Sequence, residues 1–143
     1  MRFRFLVLLG LVCLGMVGLG VVSVDGIMGR LMETIAFTEN NDWQIVFLQV
    51  DNLVQNQVSR QTYTLEADSG YVLVALGDGN RITDIDLQVY DDSGKLLGED
   101  KDDSNAAIVE VETKQQTKVT LSVSAWSMEA NDGFFALLIA RTY

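Results

Sequence analysis

The sequence predicts an all-β fold, a jelly-roll-like antiparallel β-sandwich of about eight strands, preceded by an N-terminal apolar helix and a short amphipathic helix. Three observations predict it. Segments rich in Val, Ile, Leu, Thr and aromatics recur between residues 43 and 140, separated by polar turns. In several of them apolar and polar residues alternate with the period of two that sends successive side chains to opposite faces of a sheet. The turns are built from Asn, Asp, Ser and Gly, since the chain contains no proline.

Composition narrows the function. A chain of 143 residues has the length of a single domain. From Asp25 onward it carries eight basic and twenty acidic side chains, a net charge of −12. That balance argues against nucleic acid or an anionic lipid surface as partner. Histidine is absent, which excludes His-based triads and imidazole zinc sites. The only cysteine, Cys13, lies in the apolar segment, so the folded part has no disulfide.

Arg2 and Arg4 precede an uncharged run from Phe5 to Val24, the pattern of a signal peptide. The run is long enough to span a bilayer and no A-x-A site follows it, so residues 1–24 are read as a signal peptide or a signal anchor. Either way the domain is exported: periplasmic, extracellular, or anchored to the membrane by residues 5–24. Cys13 follows Leu11 and Val12 in mid-segment, which does not fit lipoprotein acylation. Ile27, Leu31 and Ile35, with Met28 and Met32 beside them, predict a short helix over 25–41 that covers the sandwich or binds a partner. Residues 42–143 form the sandwich.

Trp43–Val54 is apolar at both parities, so it is read as a strand that is central or is covered on its second side by the 25–38 helix. Residues 60–67 and 71–76 form a hairpin about Asp68-Ser69-Gly70, ended by Gly77-Asp78-Gly79-Asn80. Ile85, Leu87 and Val89 alternate inward against Asp84, Asp86, Gln88 and Tyr90; Asp91-Asp92-Ser93-Gly94 turns this strand into a short one at 95–99. Val109 and Val111 point inward from the next strand, with Glu110 and Glu112 outward. Val119, Leu121, Val123 and Ala125 point inward from 118–126, with Ser122 and Trp126 outward. Asn131-Asp132-Gly133 leads into 134–140, apolar throughout and therefore central; Phe135 and Leu137 are core residues.

From Thr62 to Ala140 the order of features resembles the bacterial pre-peptidase C-terminal (PPC) domain. The resemblance is carried by Tyr63-Thr-Leu-Glu-Ala-Asp-Ser-Gly70 before an apolar strand, by Asp84-Ile-Asp86-Leu87 leading to Val89-Tyr90-Asp91, and by Gly94. The acidic loop Asp100–Asp103 and Gly133-Phe-Phe135 complete it. It implies an extracytoplasmic jelly-roll-like module without its own catalysis, sometimes calcium-binding and often attached to a peptidase. No enzyme accompanies the module in this sequence.

Between Asp78 and Asp103 nine acidic residues face three basic ones. Asp84 and Asp86 project to one side of a strand, about 7 Å apart. With the loop carrying Asp100 and Asp102 they are candidate ligands for a hard cation, calcium above all, because oxygen is the only donor type the folded part offers. Asp100, Asp102 and Ser104 alternate like the start of an EF-hand loop, but Asn105 replaces its Gly and Val111 its Glu. The alternative is a set of solvated carboxylates bonded to loop amides. Tyr90 and Trp126, on outward parities, are candidate binding residues for a sugar ring or a protein. No catalytic residue is assigned. The sequence is therefore read as a non-catalytic exported binding or structural module, stabilised by calcium if the acidic cluster binds it, with an unknown protein or glycan partner outside the cytoplasm. A carbohydrate-binding module is the alternative, and a small acid/base hydrolase the third reading.

Overall fold

The structure, a computed structural model, describes residues 24–142. The apolar segment expected to form the N-terminal helix lies outside the described residues except for Val24, and no helix among the described residues is long and apolar enough to cross a membrane. Helix α1 (Asp25–Asn40) is followed by β1 (Gln44–Val54), β2 (Val58–Leu65), β3 (Ser69–Gly77) and β4 (Ile82–Asp91). Then come β5 (Leu96–Asp100), β6 (Ala106–Thr113), β7 (Thr117–Met128) and β8 (Asp132–Thr142).

The strands form two antiparallel four-stranded sheets, A in the order β1-β8-β3-β6 and B in the order β2-β7-β4-β5. Strand β1 pairs with β8, β2 with β7, β3 with β6 and β4 with β5. This is one long hairpin rolled up, the jelly-roll-like arrangement the sequence predicts, but the hairpin expected about Asp68-Ser69-Gly70 does not form, because β2 and β3 lie in different sheets. Its tip is the Asp91–Gly94 turn, where the Asp91 carboxylate accepts from the N–H groups of Ser93 and Lys95 and Gly94 takes a positive φ of 82°.

The core between the sheets follows the parity reading. Leu87, Val89, Val109, Val111, Leu121, Val123, Phe135 and Leu137 are all buried, and Glu110 is exposed. Ser122 is the correction: expected outside, it is only 8 % exposed. It sits on central strand β7 opposite Arg60 of β2 and Gln88 of β4, and a short side chain between two long ones is shielded even on the outer face.

Sheet A is apolar on its outer face as well, which explains why β8 reads as apolar throughout. Helix α1 covers it: Ile27 and Leu31 are buried against Val72, Val74, Leu76, Ala136, Leu138 and Ala140. Burial of those two side chains stabilises the docked helix by about 4 kcal/mol. The docking is close. A Cβ on Gly26 would lie 2.7 Å from the Asp78 carbonyl oxygen, so only glycine lets the helix approach the β3–β4 loop. The helix ends where the Asn41 side-chain amide donates to the Phe37 carbonyl and Phe37 meets Trp43 edge to face, their centroids 5.6 Å apart.

Candidate functional site

Two regions concern function, both involving sheet B. At one end lies the acidic mouth, formed by the β3–β4 loop, the start of β4 and the loop after β5. Asp78, only 5 % exposed, is its keystone. One carboxylate oxygen accepts from the N–H groups of Asn80 (3.1 Å), Arg81 (2.8 Å) and Ile82 (3.0 Å), and the other from that of Phe134 (3.3 Å). This acid is committed to shaping the loop. The sequence shows it only as part of a turn and gives no sign that four amides converge on it.

The next element is a double irregularity. Ile82 pairs with Met128, Asp84 with Ser127 and Ile85 with Ala125, so Thr83 is an extra residue on β4 and Trp126 an extra residue on β7. Bulges of this kind re-aim side chains. Here they leave Trp126 81 % exposed and Asp84 8 % exposed. The expectation that the acids are solvated therefore fails for Asp84. One of its oxygens, Oδ1, is buried without a hydrogen-bond partner. Burial pushes its pKa up, and the charges of Asp86, Asp103 and Asp102 push it further. Asp86, half-exposed, is raised by burial and by Asp100 and Glu99, against the opposing effect of Lys101.

Among the predicted cation ligands, Asp84 thus feels the charges of Asp86 and Asp102, and Asp86 that of Asp100. Asp100 is already engaged, accepting from the Ile108 N–H at 2.8 Å and the Asp102 N–H at 3.2 Å. No three acidic side chains among the described residues converge closely enough to hold a metal ion as they stand. The loop that carries Asp102 and Asp103 is fixed at its far end, where the Ser104 carbonyl accepts from Ile85 N–H and the Asn105 carbonyl from Gly77 N–H. The residues fit a hard cation in chemistry, and Asp84 offers an oxygen without a partner.

The second region is the outer face of sheet B, which no helix among the described residues covers. Tyr90 lines a cleft of about 390 Å3 with Thr62, Asp91, Asp92, Lys118 and Thr120. A second cleft, about 220 Å3, shares Asp91, Asp92 and Lys118 but lies at the end of the sandwich rather than on this face, lined by Leu97, by Val111 at the end of β6 and by the β6–β7 turn. Trp126 belongs to the opposite end. Tyr90 pairs with Thr120, six residues from Trp126 along β7, so the two aromatics stand about 20 Å apart. The structure does not bring them into one platform. Neither cleft is lined by Asp84 or Asp86, the acids with raised pKa.

No protein-family model and no curated protein matches the sequence. Among solved structures, the chain is similar to the pre-peptidase C-terminal domain of a collagenase from Bacillus anthracis. The TM-score is 0.53 at 12 % identity, over 65 % of this chain and 87 % of that one. A periplasmic inhibitor of g-type lysozyme from Aeromonas hydrophila, PliG, gives a TM-score of 0.49 at 12 % identity, over 67 % of this chain and 85 % of that one. The first likeness is one of fold, and it agrees with the motifs in residues 62–140: this chain has a pre-peptidase C-terminal domain-like fold.

Proposed function

We propose that the protein is a non-catalytic binding module that works outside the cytoplasm and uses the outer face of sheet B to hold a protein or a glycan. The observation that carries this reading is the asymmetry of the sandwich. Helix α1 covers much of the outer face of sheet A, leaving Ile108 of β6 exposed beside it, whereas no helix among the described residues covers sheet B, which presents Trp126, the half-buried Tyr90 and the cleft beside it to solvent. The basic residues and apolar run at the N-terminus support export. The hydrolase reading finds little support, because its carboxylate pair lies at the end of the sheet away from the clefts.

Capture experiments test the surface. The full chain is immobilised and offered the exported proteins and envelope polysaccharides of its own organism, beside Thr120→Arg on sheet B and Ile108→Glu on sheet A. Ile108 is an exposed side chain of β6. Thr120→Arg is expected to abolish capture and Ile108→Glu to retain it; equal capture by all three places binding elsewhere and overturns the reading.

A second reading concerns the acidic mouth and is favoured by the unpartnered Asp84 Oδ1. Asp84 and Asp86, with Asp102 and Asp100 from the following loop, would hold a calcium ion that stabilises the module, provided the 101–103 segment moves to close the shell.

A further inference from the structure

We infer that the ligand of sheet B is a linear, uncharged polysaccharide laid along β7, with one pyranose ring stacked on Tyr90 and another on Trp126. The inference rests on sheet B being the recognition surface and names what it recognises. The cleft is lined by the aromatic Tyr90 together with the hydroxyl-bearing Thr62 and Thr120, Lys118, and the acids Asp91 and Asp92. That combination matches the two characters of a pyranose, an apolar C–H face and an edge of hydroxyls that both donate and accept.

Between the aromatics the outward residues of β7 are Ser122, shielded between Arg60 and Gln88, and Ser124, set between Val58 and Asp86. The long polar side chains of Arg60 and Gln88 therefore floor the path between the two rings and offer hydrogen-bonding groups to a chain running along the strand. The separation of about 20 Å suits a ligand that repeats the same flat ring along its length. A protein partner prefers the opposite layout, with aromatic anchors clustered at the centre of a patch. Charge decides between glycans: the net −12 of residues 25–143 repels a polyanion, and the cleft itself is lined by two carboxylates, Asp91 and Asp92, against one ammonium, Lys118. Two stacking points on one ligand make its length matter, because engagement of one end raises the local concentration of the other.

The test is titration calorimetry of the full chain with cellohexaose and chitohexaose, with glucose and N-acetylglucosamine, and with polygalacturonate. At least one hexasaccharide is expected to bind, with its monosaccharide more than tenfold weaker. Tyr90→Ala and Trp126→Ala are each expected to weaken it by roughly tenfold while the circular dichroism spectrum stays unchanged. Absence of hexasaccharide binding, affinities indifferent to both substitutions, or tighter binding of polygalacturonate each overturns the inference. If the hexasaccharides fail while Thr120→Arg still abolishes capture of an exported protein, the glycan falls and the binding module stands.

Discussion

Asp78 and Phe134 are tied twice: the Asp78 N–H donates to the Phe134 carbonyl at 3.1 Å, and the Phe134 N–H donates to the Asp78 carboxylate at 3.3 Å. One residue thereby joins the β3–β4 loop to the start of β8. The same carboxylate organises Asn80, Arg81 and Ile82, so the position of Asp84 further along β4 depends on it.

Asp78→Ala is therefore expected to cost about 3 kcal/mol, since it leaves four backbone donors to find new partners in a buried loop. Asp78→Asn keeps one acceptor but sets an NH2 group against donors, and is expected to cost about 2 kcal/mol. Urea denaturation of both variants checks the order.

Gly26→Ala drives a methyl group to 2.7 Å from the Asp78 carbonyl oxygen, and helix α1 must shift to relieve it. A loss of about 2 kcal/mol is expected. Hydrogen exchange across residues 27–38 should accelerate while β4 and β7 stay protected. Gly29→Ala, where an added Cβ meets nothing, is the control and should be neutral or stabilising.

The acidic mouth predicts a pH dependence of defined sign. The Asp84 carboxyl is raised above its ordinary 3.8 by burial first and by Asp86, Asp103 and Asp102 after it. A group that holds its proton more tightly when folded contributes stability that is fully present below pH 3.8 and is lost as pH rises through its folded pKa. Asp84→Asn should accordingly stabilise the protein near pH 7 by about 1 kcal/mol and give no gain at acid pH. Asp91 runs the other way. The Ser93 hydroxyl and the Lys95 N–H hold it below 3.8, so its contribution is present above that pH and is lost as pH falls through its folded pKa. Melting curves of wild type and Asp84→Asn between pH 3 and pH 8 check both signs.

Calcium provides an independent readout of the same site. At a hundredfold excess over its dissociation constant, a bound ion stabilises the fold by about 2.7 kcal/mol. The full chain should melt higher with millimolar calcium than with chelator, and Asp84→Asn combined with Asp86→Asn should abolish the difference. A melting temperature indifferent to calcium would remove the cation reading and leave a carboxyl that simply keeps its proton.

What was legible in the sequence was periodic. Val109, Val111, Leu121 and Val123 announce their faces through alternation, and the unbroken apolar run of 134–140 announces a central strand, which β8 is. What was not legible depends on partners distant in sequence. Thr83 and Trp126 become bulge residues only because β4 and β7 pair in that register, and the bulges are what bury Asp84 and expose Trp126. The orphaned oxygen, the most informative atom of the candidate site, could not be read from Asp84-Ile-Asp86, where both acids share an outward parity. Ser122 illustrates the same point, since its shielding comes from Arg60 and Gln88 on two other strands. Trp126 is exposed as its parity predicts and Tyr90 is half-buried, and their separation is a property of the pairing.

The nested pairing of strands sets the order in which the chain can fold. The hairpin tip at β4–β5 joins neighbours in sequence, whereas the outermost pair brings Gln44 against Arg141. Each wider pair closes a longer loop before any contact repays the lost freedom, so folding is expected to be slow and to zip from the tip outward. Strand β8 is last in sequence yet sits between β1 and β3 in the interior of sheet A. Until it arrives, β1 and β3 have no strand to join them and α1 has no floor of Ala136, Leu138 and Ala140 to settle on. A nascent chain therefore remains unlocked until β8 is free to enter sheet A.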